Sequence, residues 1–191
     1  MNYLAHAFLS FGKEPIIVGN FIADHIKLAH TAHLPEEIKQ GVLLHRRIDY
    51  FTDTHALFIK SKRHFYEGFE RYSGVLVDIY YDHLLAKNFS KYSGVDLDTF
   101  TRNIYSILQS NKEHLPVSSI RFLEYAMKNN TFFQYSKIDG IELVLKHLSY
   151  RINHGVFLNE SLPLFLANEH SIEADFFEFF EDLVKDVKAF K

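Results

Sequence analysis

Apolar residues recur at intervals of three and four along almost the whole chain, and nowhere do apolar and polar positions alternate as in a half-buried strand. This periodicity predicts an all-α fold, a helical bundle with helices over Tyr3–Ser10, Pro15–Ala29, Pro35–Phe51, Thr54–Glu67, Gly74–Phe89, Leu97–Glu113, Val117–Asn129, Ile138–Asn153, Leu162–Asn168 and Ile172–Phe190. Pro35 opens one of them, and Glu36 and Glu37 follow in its first turn, where negative charge complements the helix dipole. The Ser-Gly-Val run at 73–75 and the Asp-Gly-Ile run at 139–141 are expected to separate helices. Nothing reads as a flexible linker, a repeat or a coiled-coil heptad, so residues 1–191 are expected to form one domain. In the last helix Phe176, Phe177, Phe179, Phe180 and Leu183 oppose Glu178, Glu181 and Asp182, the pattern of an amphipathic helix packed on a core.

Composition narrows the setting. A chain of 191 residues with 47% hydrophobic and 24% charged residues has globular proportions and is long enough to bury a substantial core. The absence of cysteine excludes a disulfide framework, a thiolate metal site and a cysteine nucleophile, and with no long apolar run or signal-like amino terminus it points to the cytoplasm. A net charge of −3 argues against nucleic-acid binding driven by bulk charge. Locally the balance reverses: Arg46, Arg47, Lys60, Lys62, Arg63, His64 and Arg71 crowd into one stretch, either as a solvated helix face or as a dock for phosphate or an acidic partner.

The candidate chemistry lies in carboxylates and imidazoles set among apolar residues. In VLVDIYYDHLLAK, Asp78 and Asp82 are four apart and share one face of a helix otherwise fit for burial. A buried carboxylate needs a cation or hydrogen-bond donors, because desolvation costs it several kcal/mol or more. In LLHRRIDYFTDTH, His45, Asp49 and Asp53 follow at the same spacing, which brings an imidazole and a carboxylate to a common point. Asp24 lies one turn after Asn20 among apolar neighbours, and His6 falls inside the run NYLAHAFL. Singly, His6 reads as a core histidine and Asp53 as a cap or turn residue. Packed together, such helices would build an oxygen- and nitrogen-rich cavity for a divalent ion. The fingerprints of dinucleotide binding, P-loop hydrolysis, nucleophile-elbow hydrolases and zinc proteases are absent from the sequence. Metal-assisted hydrolysis and a noncatalytic helical binding role remain.

The motif order NYLAHAFLS, VGNFIADHIK, GVLLHRRIDYFTDTH and GVLVDIYYDHLLAKNF resembles the acyl carrier protein phosphodiesterases, which are regarded as all-α, HD-domain-like relatives of the HD phosphohydrolases. The likeness runs on more weakly through LVLKHLSYRI to the Phe-rich last helix. It implies hydrolysis of the phosphodiester between 4′-phosphopantetheine and a serine of holo-acyl carrier protein, with a divalent cation: manganese first, magnesium or iron as alternatives. The metal positions it implies are His6, Asp24, His45, Asp49, Asp78 and Asp82. On that reading Arg46 or Arg47 would neutralise phosphoryl oxygens, His83 would protonate the departing serine oxygen, and Lys60, Lys62 and Arg63 would dock the acidic carrier. A phosphohydrolase for a small nucleotide or other phosphoester is the alternative. Two departures stand out: Asp82 precedes His83, the reverse of the HD order, and Phe8 stands where family members often carry a second histidine.

Overall fold

The computed structural model describes residues 1–152 and 155–190, with Leu28 described by its backbone alone. No strand occurs among the described residues, as the periodicity predicts. The α-helical segments are α1 (Tyr3–Phe8), α2 (Glu14–Ile22), α3 (Glu36–Thr54), α4 (Ala56–Lys62), α5 (Tyr66–Phe69), α6 (Ser73–Lys87), α7 (Leu97–Ser110), α8 (Val117–Asn129), α9 (Thr131–Gln134), α10 (Ile138–Ile152) and α11 (Leu162–Ala189).

Three local departures from the expected elements have physical causes. The helix expected over Thr54–Glu67 ends at Lys62 and gives way to short turns, with Gly68 at φ +86° supplying the left-handed residue. The two glycine-containing runs lie inside the first turns of α6 and α10 rather than between helices. At Gly140 a side chain would collide with the Gln134 carbonyl, so that glycine serves close packing and not a turn. The two helices expected after Leu162 are one, since the polar residues 169–171 continue the helix and Glu169 meets Lys87 of α6 at 2.7 Å. The expected end of the preceding helix, Asn153, lies outside the described residues.

One continuous apolar cluster runs from Met1 to Val187. α11 contributes Phe165, Ile172, Phe176, Phe179, Phe180 and Leu183, spaced at three and four apart from the longer step after Phe165, to its centre. Phe177, expected among them, is only partly buried and lies under the Lys91 ammonium at 4.2 Å.

The pairing of α2 with α3 positions the site. Their backbones meet at two glycines: a Cβ on Gly19 would lie 1.9 Å from the Ile38 carbonyl oxygen, and one on Gly41 2.4 Å from that of Ile16. Only residues without a side chain allow this approach, and it sets Asn20, beside Gly19, against His45, one turn beyond Gly41. α1 is held in place from α6. Asp82 is fully buried and accepts the N–H groups of Asn2 (3.0 Å), Leu4 (2.8 Å) and Ala5 (3.4 Å), the otherwise orphaned donors at the start of α1.

Candidate metal centre

Those two anchors deliver His6 from α1 and His45 from α3 to the same place. The imidazoles stack at 4.1 Å between centroids. Asn20 orients both rings: its Oδ1 accepts from His6 Nδ1 at 2.8 Å and from His45 Nδ1 at 3.1 Å, and its backbone oxygen lies 3.0 Å from His45 Nδ1. The amide is itself fixed, because Nδ2 donates to the His6 carbonyl (2.9 Å) and to Ser10 Oγ (3.1 Å). With both Nδ1 atoms donating, the Nε2 lone pairs face the carboxylates. Asp49 spans the rings, Oδ1 lying 3.2 Å from His6 Nε2 and Oδ2 3.1 Å from His45 Nε2, and Asp24 Oδ1 is 3.1 Å from His45 Nε2.

Lone pairs facing carboxylates demand a positive charge between them. Burial lowers the affinity of His45 for a proton, but its hydrogen bonds to Asp24 and Asp49 outweigh that and push its pKa up to about 9. Burial and the His45 charge push His6 down to about 4, so the pair carries one positive charge, on His45. Burial raises the Asp49 carboxyl, yet the His45 and His6 imidazoles beside it hold it well below the usual carboxylate range. His6 Nε2 is left as a buried nitrogen with no hydrogen-bond partner of good geometry. The ligand atoms of His6, His45 and Asp49 all lie within 4.8 Å of one another. Once the His45 proton is displaced, two imidazole nitrogens and a carboxylate form a donor set suited to a divalent ion.

The other expected residues divide. Asp24 joins this group through His45. Asp53 and Asp78 line the same cavity, but Asp78 is engaged by the Met1 amino group at 2.6 Å. Asp82 is not a ligand in this arrangement: its oxygens are occupied by backbone N–H groups. His83 is buried with Nδ1 against the Tyr135 carbonyl at 2.7 Å and is not among the residues that line the cavity. Arg46 is exposed outside the cavity lining, and Arg47 is paired with Asp186 of α11. Of the basic run, Lys60 is paired with Asp175 at 2.6 Å.

The cavity has a volume of about 950 Å³. Its far wall comes from helices that carried no candidate in the sequence. There Tyr3 stacks on Phe122 at 4.4 Å, and His25 joins the two walls, with Nε2 3.4 Å from the Tyr3 hydroxyl and Nδ1 3.1 Å from Ser118 Oγ. Asn20 is the other unforeseen member; its spacing of four from Asp24 was the available signal.

No helix among the described residues is long and apolar enough to cross a membrane. No solved structure matches the chain, so the HD-domain likeness has no structural neighbour behind it. Curated relatives do match. An acyl carrier protein phosphodiesterase of Serratia proteamaculans (strain 568) is 26% identical over 98% of both chains, and one of Pectobacterium atrosepticum is 26% identical over the same shares. A third, of Photorhabdus laumondii, is 27% identical over 79% of this chain and 77% of its own. The acyl carrier protein phosphodiesterase family model matches residues 1–183, and the chain belongs to that family.

Proposed function

We propose that this protein hydrolyses the phosphodiester joining 4′-phosphopantetheine to a serine of holo-acyl carrier protein, releasing the apo-carrier, with a divalent cation, manganese first, held by His6, His45 and Asp49. One observation carries the metal reading: two Asn20-oriented imidazoles turn their Nε2 atoms toward one carboxylate at the wall of an open cavity, and His6 Nε2 has no hydrogen-bond partner. Family membership supports the substrate. A divalent ion at this position supplies a water of lowered pKa and neutralises phosphoryl oxygen charge. The chain does the rest. Asn20 holds both Nδ1 protons, so His6 and His45 offer lone pairs in fixed directions. Asp24, beside His45, is placed to accept a proton from a nucleophilic water. The apolar floor around Tyr3 and Phe122 excludes bulk solvent from one side of the cavity.

The same reading takes residues 1–191 as one all-α unit, supported by the continuous apolar cluster, acting in the cytoplasm on an acidic carrier. Docking falls to Lys60, Lys62 and Arg63, of which Arg63 is exposed and has no ion pair among the described residues. Reversing charge at Lys62 and Arg63 should raise KM for the carrier at low ionic strength; an unchanged KM moves the dock elsewhere. The central test is mass analysis of holo-carrier incubated with this protein and Mn²⁺. Loss of the phosphopantetheine mass supports the activity, and an intact carrier refutes it.

A further inference from the structure

The two walls of the cavity differ in charge. Asp24, Asp49, Asp53 and Asp78 line it on the metal side, and these carboxylates outweigh the Met1 ammonium together with one divalent ion. A phosphodiester anion would meet net repulsion there unless the opposite wall compensated.

That wall is built from one face of α8 and one face of α10. Ser118, Arg121, Phe122 and Tyr125 fall at helical spacing on α8, and Val144, His147, Leu148 and Arg151 do so on α10. The Tyr125 hydroxyl meets His147 Nδ1 at 2.7 Å and ties the two faces together. Arg121 and Arg151 are exposed, line the cavity and form no ion pair among the described residues. This sets them apart from Arg47 and Lys60, whose charges are taken by α11. Arg151 is near enough to Tyr3 and His25 for its charge to bear on both.

We propose that Arg121 and Arg151 form an oxyanion-binding wall that grips the phosphoryl oxygens of the substrate across the cavity from His6, His45 and Asp49. It takes over the part that the family resemblance suggested for Arg46 or Arg47. Guanidinium groups suit it, since their planar forks bind two phosphate oxygens at once and keep their charge at every working pH. The inference rests on the phosphodiesterase reading for its substrate, though not for the anion site itself.

The test compares the unaltered protein with Arg121→Ala, Arg151→Ala, the double variant and Arg151→Lys. Both arginines are exposed, so folding should survive, as circular dichroism will verify. With holo-carrier as substrate, each single alanine variant should lower kcat/KM roughly 10- to 100-fold, the double variant more, and lysine should restore part of the loss. Full kcat/KM in the double variant overturns the inference while leaving the activity intact. If the unaltered protein leaves holo-carrier untouched, the phosphodiesterase reading fails and inorganic phosphate decides the anion site. A phosphate-dependent rise in Tm that the double variant loses supports the wall, and an equal rise in both proteins overturns it.

Discussion

α3 and α6 carry nearly the same device, an acidic residue one turn from another ligating group on a helix with a buried face, and the fold uses the two for different ends. On α3, His45 and Asp49 face a cavity, with Asn20 taking the outer nitrogen of the imidazole and the inner nitrogen meeting only carboxylates that themselves line the cavity. On α6, Asp78 and Asp82 face the amino-terminal segment, whose ammonium and N–H groups occupy them. Both pairs answer the cost of burying charge. What separates a binding site from a structural clamp is whether the chain's own donors reach the oxygens first.

The largest effects should follow from exchanging those fates. His45→Ala and Asp49→Ala should each remove metal from the purified protein and lower hydrolysis by on the order of a thousandfold or more, with circular dichroism unchanged. Asp82→Ala should do the reverse. It leaves three N–H groups of α1 without an acceptor, and at about 1–3 kcal/mol for a buried unsatisfied group it should lower stability by roughly 2–4 kcal/mol. Metal content per folded molecule should hold. Denaturant titration and elemental analysis together decide the matter: a stable, metal-free Asp82→Ala protein would make α6 part of the metal centre after all.

This contrast also marks what a sequence can convey. Asp24, His45 and Asp49 stood out because polar groups at helical spacing among apolar neighbours are a local signal, whereas His6 read singly as a core histidine and was set beside them by the family resemblance. The need of Asp82 for a partner was legible too, but the partner was not, since it lies about 80 residues away and is backbone, which leaves no mark in composition. Arg121 and Arg151 were silent for a similar reason: their wall exists only because α8 and α10 converge on one cavity. Periodicity placed the helices well. It divided α11 at 169–171, where polar residues interrupt the apolar pattern although Glu169 has a tertiary partner in Lys87.

A smaller effect concerns pH, because only the α3 pair holds a proton that a metal would displace. His45 has a folded-state pKa raised to about 9, so in metal-free protein its contribution is complete below the unfolded value near 6.5 and is lost as pH rises through about 9. His6 is shifted the opposite way, to about 4, so the folded state refuses a proton that the unfolded chain accepts, and stability falls as pH drops from about 6.5 toward 4. Metal-free protein should therefore be most stable near neutrality and lose about 2 kcal/mol by pH 9. Metal should abolish the alkaline loss, since the ion replaces the proton, and its apparent affinity should climb up to tenfold per pH unit over the same range. Denaturant midpoints across pH, with chelator and with Mn²⁺, would show this; parallel curves would mean that His45 is not the site of exchange.

The smallest change touches neither carboxylate nor imidazole, yet it tests why the α3 pair stays open. Asn20 accepts both Nδ1 protons through one oxygen, and its Nδ2 donors tie that oxygen in place through His6 O and Ser10 Oγ. In Asn20→Ala the two rings lose their shared acceptor, though His45 keeps the backbone oxygen of residue 20. His6 is then free to turn or to change tautomer, taking its Nε2 lone pair away from Asp49. Residues that orient a metal-binding histidine typically contribute 10- to 100-fold to affinity, so a weakening of that size is expected, with loss concentrated at His6 rather than His45. Metal titration followed by histidine NMR would resolve the two rings. An Asn20→Ala protein that binds Mn²⁺ as tightly as the unaltered chain would show that stacking alone keeps the rings in place, and that the difference between α3 and α6 lies wholly in which donors reach the carboxylates.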